Sequence, residues 1–177
     1  MKKKVTLILI VSLTVGSIFV LVNYYRTDGF GFAWLLNFML MFWTLIFTDT
    51  LKSPLTSTYY DEKSWEQRGK IYEYFGVHFF RKLMVIVGWE KVIRKSNPIE
   101  RNTSALTNLH YQTKKSELGH VIILFIVLGF NIFVAFKFGL LKSLWLLIMN
   151  TLFNLYPIFV QRYNRPRIAR AMNLSKR

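Results

Sequence analysis

The chain of 177 residues contains no cysteine, which excludes disulfides and thiolate chemistry. Acidic residues are also scarce: nine Asp and Glu accompany 24 Lys and Arg, for a formal net charge of +15. The sequence has no glycine-rich phosphate loop, no nucleophile elbow and no H-E-x-x-H motif. These absences disfavour nucleotide hydrolysis, serine-hydrolase chemistry and zinc-protease activity.

The apolar residues cluster in four long runs that are nearly free of charge, and the charged residues lie between these runs. This clustering indicates the class of protein. A helix needs about 17–25 mostly apolar residues to cross the hydrocarbon core of a bilayer. We therefore predict an all-α polytopic membrane protein, a single membrane domain over 1–177, with transmembrane helices at 5–22, 30–47, 119–137 and 143–160.

The first run needs a further test, because Met1-Lys2-Lys3-Lys4 before an apolar stretch also describes a signal peptide. The apolar region is longer than the roughly 7–15 residues of such a peptide. It is followed by Asn23-Tyr24-Tyr25-Arg26, which is no small-residue cleavage site. We expect a retained membrane anchor.

The distribution of Lys and Arg predicts the orientation, since cytoplasmic connections carry an excess of them. The N-terminal tail holds three, the connection 49–117 holds twelve, and the tail after residue 160 holds six. The two other connections hold one and two. Both termini, the loop 50–118 and the basic tail 161–177 are therefore predicted in the cytoplasm.

The high positive charge also suggests nucleic acid, but the basic residues lie next to membrane boundaries and are mixed with acids in the loop. Attraction to anionic lipid head groups explains them more simply. We predict membrane lipids as partners and no nucleic acid.

The long loop contains a segment, about 65–90, in which aromatic and charged residues are interspersed. Ile71, Phe75, Phe79, Leu83 and Ile86 recur at helical spacing. The pattern indicates an amphipathic helix lying in the membrane interface, with its aromatic side inward and its cations toward lipid phosphates.

The strongest chemical candidates are Glu117 and His120, at the start of the third predicted span. Their i,i+3 spacing places them on nearly the same helix face. A histidine held by a carboxylate can take a proton from a hydroxyl and later return it. The alternatives are a structural hydrogen bond between helix ends, or a zinc site formed with His110.

A cluster of four arginines follows the last span closely: Arg162, Arg165, Arg167 and Arg170. Guanidinium groups suit phosphate or carboxylate, although a basic flank that contacts lipid phosphates is the plain alternative. Asn164 and Pro166 interrupt the arginines, and we expect Pro166 to fix the turn that aims Arg165.

Two stretches, Thr113-Lys114-Lys115-Ser116-Glu117-Leu118-Gly119-His120 and Val160-Gln161-Arg162-Tyr163-Asn164-Arg165-Pro166-Arg167, resemble a small membrane family named for glycosyl-4,4'-diaponeurosporenoate acyltransferase. Trp65-Glu66, Gly69-Lys70 and Arg81-Lys82 fit the same pattern more loosely. The resemblance covers roughly 65–170. It implies an enzyme of the bacterial plasma (inner) membrane that esterifies a sugar hydroxyl with a fatty acyl chain in the biosynthesis of the carotenoid staphyloxanthin.

We therefore predict an acyltransferase acting on a lipid-like hydroxyl, with an acyl donor such as acyl-CoA or acyl carrier protein and with no metal or other cofactor. His120 is the predicted general base and Glu117 orients it. Arg162 and Arg165 hold a phosphate or carboxylate of the donor, and Asn164 donates to the developing oxyanion. Arg167, His110 and Lys114 complete the predicted substrate-binding set.

Two readings from other classes stay open on this evidence. The first is a non-catalytic membrane subunit or scaffold, whose polar helix ends dock into a larger membrane protein complex. The second is a module that binds or flips lipid.

Overall fold

The computed structural model describes residues 2–88 and 103–175, and every regular element within these ranges is helical. Four helices are long and apolar enough to cross a membrane: Lys2–Tyr24, Phe30–Leu51, Thr103–Phe138 and Leu140–Leu174. The predicted all-α polytopic membrane fold with four transmembrane helices is confirmed.

The helices are numbered here in chain order. They are α1 (Lys2–Tyr24), α2 (Phe30–Leu51), the short α3 (Ile71–Tyr74), α4 (Val77–Ile86), α5 (Thr103–Phe138), α6 (Leu140–Asn150) and α7 (Tyr156–Ser175). Two 3-10 turns, Thr58–Tyr60 and Ser64–Gly69, precede α3, and a π-helical turn, Thr151–Leu155, joins α6 to α7.

Helix α5 is much longer than the apolar run that predicted it. Its 36 residues extend for roughly 54 Å at 1.5 Å per residue, against a hydrocarbon core of about 30 Å. The surplus is the polar stretch that contains Glu117, which stays helical because its side chains are paired with other parts of the protein.

The described residues form two compact units. The first unit comprises Met1–Pro54 and Leu118–Leu155, and the second comprises Leu55–Glu117 and Tyr156–Arg177. The single membrane domain predicted over 1–177 stays a prediction.

The first unit has a small apolar core and an apolar exterior. Phe32, Leu36 and Leu40 on α2 are buried against Ile123, Val127 and Val134 of α5 and Leu146 of α6. Outward-facing apolar side chains are highly exposed, with Phe19 at 70% and Phe136 at 89%. An exterior of this kind is stable in lipid, where exposed apolar surface needs no cover.

The second unit is organised around aromatic side chains. Tyr72, Val77 and Tyr163 form its buried cluster, against which Phe159 packs. Tyr72 and Phe159 have ring centroids 5.3 Å apart. Phe80 of α4 stacks on Tyr156 of α7 at 5.0 Å. These contacts fix α3 and α4 against the basic helix α7.

The predicted interfacial helix over 65–90 is broken in the structure. Gln67, Arg68 and Gly69 all have positive φ, so the chain makes a left-handed turn before α3 begins. On the apolar face that the pattern predicted, Phe79 is 72% and Ile86 81% accessible, whereas Val77 and Phe80, outside the predicted set, are buried. Residues 89 and 90 lie outside the described residues.

The expected turn at Pro166 is wrong. Pro166 lies inside α7, which continues to Ser175. A proline inside a helix removes one backbone hydrogen bond. The side-chain bonds of the neighbouring arginines compensate by anchoring this part of the helix on both sides of the proline.

Candidate functional site

Beside its aromatic cluster, the second unit holds an ionic network centred on Glu117, whose side chain is fully buried. Arg162 Nε donates to Glu117 Oε1 at 2.7 Å, and Arg165 Nη2 donates to Glu117 Oε2. Helix α5 contributes the carboxylate and α7 contributes both guanidinium groups. Spacing of three residues on α7 places the two arginines on the face that meets Glu117.

A second buried carboxylate, Glu66, joins the same network. Arg162 Nη1 donates to Glu66 Oε1 at 3.1 Å, and Tyr72 Oη donates to the same oxygen at 2.5 Å. The backbone N–H of Lys63 donates to Glu66 Oε2 at 2.6 Å. Burial favours the neutral acid, but these three donors prevail and hold the pKa of Glu66 below its ordinary value.

Backbone carbonyls complete the arginine contacts. Arg162 Nη2 donates to Tyr59 O at 2.9 Å, and Arg165 Nη1 donates to Tyr60 O at 3.2 Å. Arg165 Nε donates to the Thr113 hydroxyl at 3.2 Å. Arg162 also lies over the Tyr59 ring, 4.6 Å from its centroid. The arginines thus tie the 58–60 turn, the 64–69 turn, α5 and α7 together.

The four charges balance: two carboxylates face two guanidinium groups, each at most about one-tenth exposed. A buried ion-pair network contributes little net stability over an apolar core, but removing one partner leaves a buried charge unpaired. The main effect of the network is therefore to fix the positions of the 58–60 turn, Glu66, α5 and α7 relative to one another within the second unit. Both guanidinium groups are already bonded to Glu117, so any ligand would meet a preformed, neutral cluster.

Glu66, Arg162 and Arg165 of this network also line a cavity of about 160 Å³, here called the His110 cavity. At about 30 Å³ per water, this volume suits a polar head group or one sugar hydroxyl with its surroundings. Its lining is mixed in charge and consists of Tyr60, Asp61, Glu62, Glu66, His110, Lys114, Arg162, Arg165, Pro166 and Ala169.

His110 and Lys114 reach the cavity from one face of α5, since residues four apart lie one above the other. Lys114 Nζ donates to Leu55 O at 3.1 Å and lies 5.6 Å from the Tyr60 ring centroid. The His110 imidazole is half-buried, and among the described residues it has no hydrogen-bond partner. A free imidazole in a polar cavity is available to move a proton.

Asn164 and Arg167 occupy other places on α7. Asn164 is half-buried and is not among the residues that line the His110 cavity. Arg167 is turned toward Glu73, with Nη2 3.1 Å from Glu73 Oε1. Of the predicted substrate-binding residues, the structure brings His110, Lys114, Arg162 and Arg165 together.

His120 belongs to the first unit, where its partner is Asn154. His120 Nδ1 lies 3.4 Å from Asn154 Oδ1. Asn154 Nδ2 donates to Asn37 Oδ1 at 2.7 Å and to Asn150 Oδ1 at 2.9 Å. This polar cluster bridges α2 and the π-helical turn after α6. The structure thus gives Glu117 and His120 different partners, and the catalytic roles assigned to them stay predictions.

Sequence reasoning missed Glu66 as a member of the site. The one available signal was its place in Trp65-Glu66, one of the looser matches to the family pattern. Its partner Tyr72 gave no signal, because it reaches Glu66 across a left-handed turn at Gln67 and Arg68, which are not glycines.

The structure also bears on the zinc alternative. Within residues 2–88 and 103–175, no group of three or more His, Cys, Asp or Glu side chains is arranged to hold a metal ion.

Fold and site together define an integral membrane protein of the helical class, with a buried network of paired arginines and carboxylates beside a polar cavity. The family model for glycosyl-4,4'-diaponeurosporenoate acyltransferase matches residues 56–174, about two thirds of the chain. The chain belongs to this family of acyltransferases of carotenoid biosynthesis. The match spans the whole network and the cavity, and it excludes α1 and α2.

No curated protein and no solved structure matches the chain significantly.

Proposed function

We propose that the chain transfers a fatty acyl group onto a hydroxyl of a lipid or glycolipid, with the hydroxyl bound in the His110 cavity. The observation that carries this proposal is the half-buried imidazole of His110, which has no hydrogen-bond partner among the described residues, beside the ammonium group of Lys114 in one polar cavity. Family membership supplies the reaction class. A carotenoid glycoside is the acceptor that the family description suggests.

In this mechanism the His110 imidazole removes the proton of the acceptor hydroxyl. The hydroxyl oxygen attacks the carbonyl carbon of an acyl thioester, forming a tetrahedral oxyanion. Collapse of this intermediate breaks the carbon–sulfur bond, and the imidazolium returns the proton to the departing thiolate. The products are an ester and a free thiol. General acid–base catalysis of this kind contributes about 10²–10⁴-fold.

Lys114 is the proposed partner of the oxyanion, a role that the sequence had suggested for Asn164. Its ammonium group is one helical turn from His110 and faces the same cavity. Removing one oxyanion donor typically lowers kcat by roughly 10²–10³-fold. Arg162 and Arg165 have a positioning role in this proposal, because they hold Glu66 and the 58–60 turn against the cavity.

The test is expression of the full chain in a host that makes the glycosylated carotenoid acid, followed by mass spectrometry of lipid extracts. Wild type should add the mass of a fatty acyl group, and His110→Ala should lower this product at least 100-fold at equal protein level. His78→Ala is the matched control, because His78 is 55% exposed and lies outside the cavity.

Three results would contradict the proposal. If His110→Ala retains the product while His120→Ala loses it, the base is His120, as the i,i+3 spacing predicted. A stable multiprotein complex without any acylated product would favour the scaffold. Bound lipid without product would favour a lipid-binding module.

A further inference from the structure

A second cavity, of about 400 Å³, lies in the second unit away from the paired network. Its lining is almost entirely cationic: Gln67, Arg68, Lys70, Arg167 and Arg170. Here it is called the Arg68 cavity. Among the described residues only one carboxylate, Glu73, pairs with any of these four cations, and it pairs with Arg167.

The cavity is built by two elements held in close contact. Gly69 has φ +83°, and a Cβ there would lie 3.0 Å from the Tyr163 carbonyl oxygen and 3.2 Å from Arg167 Nη1. Only glycine permits this approach of the 67–70 turn to α7. Arg68 and Lys70 are thereby placed on the same cavity as Arg167 and Arg170.

Arg167 is fixed before any ligand arrives. Its guanidinium carbon lies 3.5 Å above the centroid of the Tyr163 ring, and Nη1 donates to Tyr163 O at 2.5 Å. Nη2 bonds to Glu73, which also lies 3.7 Å from His78 Nε2. A guanidinium group that is held rigidly loses little freedom when it binds an oxyanion.

The backbone of the turn is strained as well. Gln67 (φ 49°, ψ 48°) and Arg68 (φ 58°, ψ 34°) are consecutive non-glycine residues in the left-handed region. Such conformations are unfavourable for residues other than glycine, and they cluster at ligand-binding sites. A group of basic residues that only contacts solvent would not require this strained turn.

We propose that the Arg68 cavity binds a phosphate group. Four cations, one of them the fixed guanidinium group of Arg167, against a single carboxylate match the charge of a phosphate monoester or diester. Two sources carry that chemistry: a soluble phosphorylated acyl carrier such as coenzyme A, and the head group of a phospholipid. Binding at this cavity does not depend on acyl transfer in the His110 cavity.

The experiment titrates the full chain, purified in a neutral detergent, with coenzyme A and separately with a short-chain phosphatidylglycerol, using calorimetry. Arg68→Gln and Arg170→Gln should each raise the Kd of the bound probe about tenfold, as expected for loss of one charge-assisted hydrogen bond. Lys82→Gln is the control: it removes one exposed positive charge outside the cavity and should change Kd less than twofold.

Binding of coenzyme A identifies a soluble phosphate as the ligand, and binding of phosphatidylglycerol identifies a lipid head group. Either result supports the site, provided that Arg68→Gln weakens that binding and Lys82→Gln does not. Absence of binding by both probes, or equal effects of Arg68→Gln and Lys82→Gln, would overturn the proposal. Arg68 and Arg170 are both exposed, so thermal melting should show that their variants remain folded.

Discussion

At the scale of single residues, Glu117 has the largest structural consequence. It accepts from two guanidinium groups and is fully buried, so Glu117→Gln leaves a positive charge of the network without its partner. We expect the variant to lose about 3–5 kcal/mol of unfolding free energy. Denaturation in detergent measures this loss, with the exposed Glu62→Gln as control. Equal stability of both variants would show that the network is dispensable.

Glu66 predicts how stability depends on pH. Hydrogen bonds hold the pKa of Glu66 below its ordinary value of 4.5, so the folded protein binds fewer protons there than the unfolded chain. The stabilisation is complete above pH 4.5 and is lost as pH falls through the lower folded value.

Melting temperatures measured from pH 7 down to 3 check this dependence. The wild-type value should fall more steeply than that of Glu66→Gln below pH 4.5, since the variant has no carboxylate to protonate at this position. Parallel curves would mean that Glu66 adds nothing to acid sensitivity.

At the scale of helices, α4 has an exposed apolar face that no other part of the described protein covers. Phe79 is 72% and Ile86 81% accessible, although a soluble protein rarely exposes such side chains together. We expect this face to contact lipid at the membrane interface, as the amphipathic pattern of the segment predicted.

The absence of cysteine makes that expectation easy to test. A nitroxide on Phe79→Cys in bilayers should be more accessible to oxygen, which enters lipid, than to a water-soluble nickel reagent. Thr56→Cys, exposed before the first 3-10 turn, should give the opposite ratio. Aqueous accessibility at both positions would place α4 away from lipid.

The transmembrane helices could be predicted largely from sequence, because an uncharged apolar run of this length satisfies its backbone hydrogen bonds in a membrane by forming a helix. Their ends could not. Helix α5 includes the polar stretch before its apolar run, where Thr113 and Glu117 find partners on α7, and Pro166 lies within α7 beside one of those partners, Arg165. Such long-range pairs leave no local periodicity.

The site shows the same division. Glu117, Arg162 and Arg165 could be selected as charged residues beside membrane spans, but their pairing with one another could not. Glu66 was missed because a left-handed turn at Gln67 and Arg68 brings it into place. Left-handed backbone is normally signalled by glycine or asparagine, and neither residue occupies those two positions.

At the scale of the whole molecule, the excess of Lys and Arg in the connections predicts the topology. We expect a cysteine at Tyr25, between α1 and α2, to react with a membrane-impermeant maleimide in intact cells. A cysteine at Thr56 should react only after the cells are permeabilised. The reverse labelling pattern would place both termini outside the cytoplasm.

The left-handed turn has a consequence for anyone who engineers this protein. Replacing Gln67 by glycine would relieve backbone strain and raise the thermal stability of the fold. The more flexible turn would, however, hold Arg68 and Lys70 less rigidly. Selection for heat tolerance alone would therefore favour variants that bind the proposed phosphate ligand more weakly. At this turn, thermal stability and ligand binding therefore place opposite demands on the residue at position 67.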